Sequence, residues 1–238
     1  MKIAGSTALV TGANRGFGQH LSSELIARGA TVYAGARNPD TVKTPGAIPL
    51  ALDVTDPESV AAAAGMADDV TLLINNAGSS TGVDLLNGDL HAIRLEMDTH
   101  LFGTLSVIRA FAPKMSANGG GAILNVLSVL SWISFPGIGA YCAAKSAEWS
   151  MTNALRLQLA EQNIRVAGLH VGYMDTDMAA SVTAPKADPA AVAKIALDGI
   201  EQRLYEIVVD EVSHHVRAGL AGGVEALYPQ LPTVGEIS

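Results

Sequence analysis

Apolar residues along this chain gather in short unbroken runs rather than in strict alternation. "STALV" (6–10), "TVYAGA" (31–36), "IPLAL" (48–52), "VTLLIN" (70–75), "AILNVL" (122–127), "IRVAGLHV" (164–171) and "EIVV" (206–209) each read as a strand. Continuous runs of this kind are expected of parallel strands covered on both faces. Amphipathic segments between them predict helices over roughly 16–28, 56–66, 90–116, 141–162 and 189–203. "DVTDPES" supplies an acidic N-cap followed by proline, and "SANGGG" (116–121) is a glycine-rich helix exit. Alternation of strand and helix along the whole length predicts an α/β fold: a doubly wound, seven-stranded, mainly parallel sheet with helices on both faces. No repeat, low-complexity tract or linker divides the chain, so residues 1–238 read as one domain. Ligands of such sheets bind beyond the carboxyl ends of the strands. Candidate chemistry is therefore sought just after each strand.

Composition narrows the partners. Hydrophobic residues make up 49% of the chain and charged residues 16%, which describes a filled core rather than disorder. A formal charge of −8 leaves no basic stripe for phosphates, so no nucleic-acid partner is expected. Cys142 is the single cysteine, which excludes a disulfide framework and a cysteine metal cluster. No metal is expected, and a reducing cytoplasm fits best. The longest apolar region, 121–140, is interrupted by Asn125, Ser128, Ser131, Ser134 and a Pro-Gly pair, so no membrane span is expected. The N-terminus also lacks the length and cleavage site of a secretory signal.

"TGANRGFG" (11–18) follows the first strand and opens a helix. Gly12, Gly16 and Gly18 are spaced G-x-x-x-G-x-G, with Asn14, Arg15 and Phe17 among them. Such a loop at a helix N-terminus offers free N–H groups and a positive dipole end to a pyrophosphate. The second strand ends in "GARNPD", with Ala36 and Arg37 where binders of NAD place an acid for the ribose 2′-hydroxyl. A guanidinium there pairs with a 2′-phosphate instead, and Arg15 offers a second charge from the loop. The cofactor reading is NADP(H). The bland alternative is two surface arginines.

Tyr141 and Lys145 in "YCAAK" share one helix face. That spacing alone suits an exposed pair as well as a chemical one. The order of "TGANRGFG", "LDVTD" (52–56), "NNAG" (75–78), "NVLSVLS" (125–131), "YCAAK" (141–145) and "HVGYMDTDM" (170–178) settles the reading. It resembles the short-chain dehydrogenase/reductase family in its classical form, from residue 5 to about 210.

The resemblance implies a Rossmann-type fold and transfer of a hydride between NADPH and a ketone or aldehyde. By the same resemblance Tyr141 is the acid/base, Lys145 its activating lysine and Ser128 the holder of the substrate oxygen. Asp53 would bond the adenine with Val54 beside it, while Asn75, Ala77 and Gly78 line the cofactor channel. Gly172 and Thr176 would contact the nicotinamide carboxamide. Helices 90–116 and 141–162 would make a homodimer or homotetramer. An ammonium beside Tyr141 is expected to lower its pKa.

Three positions depart from the family. His100 stands where an asparagine is usual, and either joins a proton relay to the lysine or merely packs. Leu127 replaces a common serine, and Val171 a common proline. Trp132, Phe135, Tyr173, Met174 and Met178 suggest an apolar substrate pocket, though each also suits a core. Two other readings compete. "GSSTG" (78–82) fits a serine-hydrolase elbow at Ser80, with Asp210 and His214 or His215. A non-catalytic cofactor sensor would use the same fold.

Overall fold

The computed structural model describes residues 1–231. Seven strands form on the apolar runs: β1 (Thr7–Thr11), β2 (Thr31–Ala36), β3 (Ile48–Ala51), β4 (Leu72–Asn75), β5 (Gly121–Val126), β6 (Ile164–His170) and β7 (Glu206–Val208). All pair in parallel, in the order β3-β2-β1-β4-β5-β6-β7. Strand order reverses between β1 and β4. A crevice at their carboxyl ends is the expected ligand position.

Each central strand is apolar on both faces because both are covered. Ala8 and Val10 point into one core with Leu21 and Leu25 of α1 (Gly16–Ala27) and Val192 and Leu197 of α6 (Pro189–Glu201). Leu9 points the other way. It meets Val60 of α2 (Pro57–Met66), Val107 and Phe111 of α4 (Thr104–Ala117), and Leu155 of α5 (Gly139–Gln158). Asp56 and Asp188 cap α2 and α6 as acid-proline pairs, each accepting one backbone N–H at 3.0 Å. Such a cap contributes about 1 kcal/mol.

Two regions differ from the sequence expectation. The helix expected over 90–116 is α3 (Leu90–Met97) and α4, joined by a π-helical turn at Asp98–Gly103. The turn is tight enough that a Cβ on Gly103 would stand 3.0 Å from the Asp98 carbonyl oxygen and from Val54 Cγ2. A hydrophobic pattern does not register this one-residue slip, yet π-turns concentrate at functional sites. Past β7 come α7 (Glu211–Gly219), too polar for the pattern to announce, and α8 (Gly223–Leu227), too short for it.

A third, smaller core lies beneath α5 and α7 and holds Val129, Leu130, Trp132, Cys142 and Val216. Trp132, expected at a substrate pocket, is packed here instead. Its ring stacks on His170 at 3.7 Å and 12°, and meets Trp149 edge-on at 6.5 Å. Cys142 is fully buried, and burial pushes its thiol pKa up.

Candidate active site

The glycine loop turns at Gly12 and Gly16, whose φ angles of 64° and 54° favour glycine. A Cβ on Gly12 would lie 2.9 Å from the Ala77 Cα, and one on Gly18 would lie 2.3 Å from the Gly12 oxygen. The first turn of α1 has neither a side-chain cap nor an acidic residue. Its N–H groups are therefore left for an anion. Thr176 closes over the loop, 3.7 Å from where a Gly16 Cβ would be. Arg15 bonds Asp177 at 3.2 Å across the same mouth, with both side chains exposed. Arg37 and the partly exposed Asn14 flank the cleft from β2 and from the loop.

Two residues that sequence reasoning passed over hold this cradle in place. Asn76 donates from Nδ2 to the carbonyls of Thr11 at 2.9 Å and Gly12 at 3.2 Å. Thr11 Oγ1 accepts the N–H groups of Asn76 and Ala77, each at 2.9 Å. Asn75, expected in the cofactor channel, points into the molecule. Its Nδ2 donates to Asn125 Oδ1 at 2.8 Å, and Asn125 donates on to Thr152 Oγ1 at 2.8 Å. That ladder ties β4 and β5 to α5. Strand alternation, which sends Asn75 and Asn76 to opposite sides, was the available signal.

Two more expected contacts are corrected in part. The side chains of Phe17 and Val54 belong to the cores, at 5% and 9% exposure, so only their backbones border the cleft. Asp53 stands beyond β3, and its Oδ1 accepts from Thr55 N at 3.0 Å and Thr55 Oγ1 at 2.7 Å. Gly172 donates its N–H to Asp210 Oδ2 at 2.5 Å, and Asp210 also caps α7. Tyr173, Met178 and Phe135 are exposed apolar groups. The strap that carries Tyr173 and Met178 is pinned by Ala187 N donating to Tyr173 O at 2.8 Å.

The chemical groups converge at the ends of β5 and α5. Ser128 leaves β5 in extended conformation and caps a short turn, accepting Leu130 N–H at 3.1 Å. Lys145 is buried, and its Nζ donates to Val126 O at 2.7 Å and Glu148 Oε2 at 2.8 Å. It also lies 5.9 Å from the centre of the Tyr141 ring. Burial works against the Lys145 charge, but Glu148 and then Tyr141 hold its pKa above the usual value.

Burial raises the Tyr141 pKa. Lys145 and a Ser128 hydrogen bond pull it down, while Glu148 and Glu96 push it further up. The expected lowering is thus corrected for the protein alone, because desolvation foremost, and then the carboxylates, outweigh the ammonium.

His100 sits inside the π-turn at 1% exposure, with its ring edge-on to Tyr141 at 5.2 Å. Its Nε2 is 2.9 Å from Ser79 O and 3.3 Å from Glu96 Oε2, and its Nδ1 is 3.9 Å from Glu148 Oε2. Gly78 makes room for the ring, since a Cβ there would be 2.8 Å from His100 Cε1. Glu96 is fully buried and accepts Ser79 Oγ at 2.8 Å and the Thr81 N–H. Burial opposes its charge, yet bonds from His100, Thr81 and Ser79 hold its pKa down to about 2.

Ser80 does not form an elbow. It lies exposed in the irregular segment between β4 and α3, Asp210 is committed to Gly172, and His214 and His215 lie exposed on α7. The hydrolase reading fails for want of a strand–turn–helix.

A phosphate-binding turn at the switch point, with a phenol and an ammonium one strand away, is the architecture of the doubly wound oxidoreductases. The chain matches the family model described as short chain dehydrogenase over residues 6–187, and it belongs to that family. Its members bind a nicotinamide cofactor and act on CH–OH or C=O groups of small molecules.

A solved short-chain dehydrogenase from Burkholderia cenocepacia J2315, in complex with NADP, superposes with a TM-score of 0.93 at 39% identity. The match covers 98% of this chain and 100% of that one. Carbonyl reductase [NADPH] 2 of Sus scrofa is 32% identical over 201 residues, covering 82% of this chain and 81% of the relative. D-erythrulose reductase of Gallus gallus is 32% identical over 184 residues, covering 75% of each. Among the described residues, no helix is long and apolar enough to cross a membrane.

Proposed function

We propose that this protein is an NADPH-dependent carbonyl reductase acting on a hydrophobic ketone or aldehyde, with Tyr141 as its acid/base. The observation that carries the reading is the part-buried phenol of Tyr141 beside the charged, carboxylate-paired Lys145 and the hydroxyl of Ser128.

The cradle suits a dinucleotide because its helix start is uncapped and its glycines leave no Cβ in the way. Gly12, Asn14, Gly16 and Gly18 would hold the pyrophosphate, Arg37 and Arg15 the 2′-phosphate and Asp53 the adenine. Ala77, Gly172 and Thr176 would border the nicotinamide end, which exchanges a hydride with the substrate carbon when bound. Ser128 donates a hydrogen bond to the substrate oxygen as charge develops there. Tyr141 gives that oxygen its proton in reduction and takes one back in oxidation. Lys145, charged and fixed by Val126 and Glu148, favours the phenolate left behind.

Support for NADPH comes from Arg37 in place of an acid, from the NADP in the Burkholderia neighbour and from the NADPH in the name of the pig relative. Tyr173 and Met178 are the candidate apolar contacts for substrate, on a strap that can cover it. Exposed Leu95, Phe102 and Leu157 on the α3–α5 layer support a homodimer or homotetramer. The single buried thiol suits a reducing cytoplasm.

The test is consumption of NADPH and of NADH with a panel of aryl and alkyl ketones and aldehydes. Steady consumption of NADPH is expected, and Arg37→Asp should shift the preference toward NADH by about tenfold. Turnover of no carbonyl with either cofactor would refute the reductase. Labelling of the purified protein by NADP(H) without any turnover would instead favour the sensor.

A further inference from the structure

Four buried ionisable side chains stand in line behind the phenol: Lys145, Glu148, His100 and Glu96, at 5%, 2%, 1% and 0% exposure. Burying so many is costly unless each charge is matched. With a neutral imidazole the group carries two carboxylates and one ammonium; a second proton on the ring balances it. Facing the two ring nitrogens are Glu148 Oε2, Glu96 Oε2 and Ser79 O, all acceptors, with Ser79 N–H the one donor. The ring can therefore carry a proton on either nitrogen and pass it between the two carboxylates.

The line has an inner and an outer end. Inside, Glu148 Oε2 touches Lys145 Nζ at 2.8 Å. Its other oxygen meets only Thr104 Oγ1, at 3.5 Å, so the carboxylate is free to turn about the lysine. His100 Nδ1 is buried without a hydrogen-bond partner, 3.9 Å from that carboxylate, roughly 1 Å beyond bonding distance. Outside, His100 Nε2 reaches Ser79, which is part-exposed and adjoins the exposed Ser80. Glu96 anchors this end through Ser79 Oγ and the Thr81 N–H. Among the described residues, Glu96 and Glu148 are the charged groups within ion-pair distance of His100. Tyr141 and Glu148 reach it from α5, Glu96 from α3, and Gly78 and Ser79 from the segment after β4.

We infer that Glu148 and His100 form a histidine–carboxylate proton path from Lys145 to solvent at Ser79, with Glu96 positioning the ring. In reduction Tyr141 loses one proton to the substrate oxygen. Lys145 replaces it, Glu148 passes one to Lys145 from His100 Nδ1, and His100 Nε2 recovers one from water at Ser79. One proton enters per carbonyl reduced, and no electron moves along the path. Glu148 and His100 act through Lys145 and are positioning residues rather than catalytic ones. The inference rests on the reductase reading.

The test uses Glu148→Gln, Glu148→Asp and His100→Ala in the full chain, each checked first for thermal unfolding. Glu148→Gln should lower kcat with NADPH roughly tenfold, less than the about 10²–10⁴-fold of a direct acid/base because Glu148 acts through Lys145, and flatten its pH profile while the KM for NADPH stays within about twofold. Glu148→Asp should recover part of the loss, and added imidazole should restore turnover to His100→Ala. Without cofactor, nitrogen-15 NMR should show a protected His100 Nδ1–H that vanishes in Glu148→Gln. Should Glu148→Gln fail to fold, imidazole rescue and the wild-type resonance decide. A wild-type pH profile in Glu148→Gln, no rescue by imidazole, or no Nδ1–H would overturn the path. If no carbonyl is turned over, the reductase reading falls while the resonance still reports the His100–Glu148 contact.

Discussion

Helix α5 divides two interiors that solve the same problem in opposite ways. One stripe carries Tyr141, Lys145, Glu148 and Thr152, at i, i+4, i+7 and i+11, and meets a polar interior where most groups have a partner. The neighbouring stripe, Cys142 and Trp149, meets Trp132 and His170, where aromatic planes stack. There the indole N–H groups of Trp132 and Trp149 and His170 Nε2 lack partners. Charge is kept and paired on the first side, and absent from the stacked rings of the second.

Single changes should separate the two interiors. Tyr141→Phe should cut carbonyl turnover by about 10²–10⁴-fold with thermal unfolding almost unmoved, as read by steady-state kinetics and calorimetry. A variant that retained wild-type turnover would remove Tyr141 from the chemistry. Trp132→Ala should do the reverse, costing about 3–5 kcal/mol in denaturant unfolding because a stacked indole leaves a cavity behind.

His170 gives the aromatic side its own acid limit. Burial foremost holds its pKa down to about 4, against 6.5 for the free group. The unfolded chain thus takes up a proton near 6.5 that the folded protein refuses until about 4. Stability rises with pH across that window and falls on acidification through it, by roughly 3 kcal/mol in all. Urea titrations at successive pH values measure it, and His170→Phe should lose that slope. Glu96 acts in a lower window, its contribution vanishing only as pH drops from 4.5 toward 2. The smallest effect is expected at the boundary. Asn125→Ala should cost about 1–3 kcal/mol by stranding Asn75 and Thr152, with KM for NADPH little changed.

Strands were readable because a parallel strand buried on both faces leaves an unbroken apolar run, as at Leu72–Asn75. The glycine cradle and the Ser128–Tyr141–Lys145 set were readable because their spacing is local and their order is shared with a large family. What escaped was decided across space. Glu148 was passed over, although its i, i+3 spacing from Lys145 was visible. Glu96 likewise stood at i, i+4 from His100. Trp132 was placed at the substrate because it follows β5, but the turn capped by Ser128 sends it inward. Polar α7 left no apolar stripe wide enough to see, and its start is fixed by Asp210.

Cys142 sits one residue from Tyr141 yet belongs to the quiet side of the helix, walled in by Val129, Leu130 and Trp132. As the chain's lone thiol, sealed and held protonated, it should ignore air, heavy-metal traces and thiol-alkylating dyes while the fold is shut. The rate at which such a dye finally colours the protein is therefore a built-in clock for the opening of that interior, with no label to engineer.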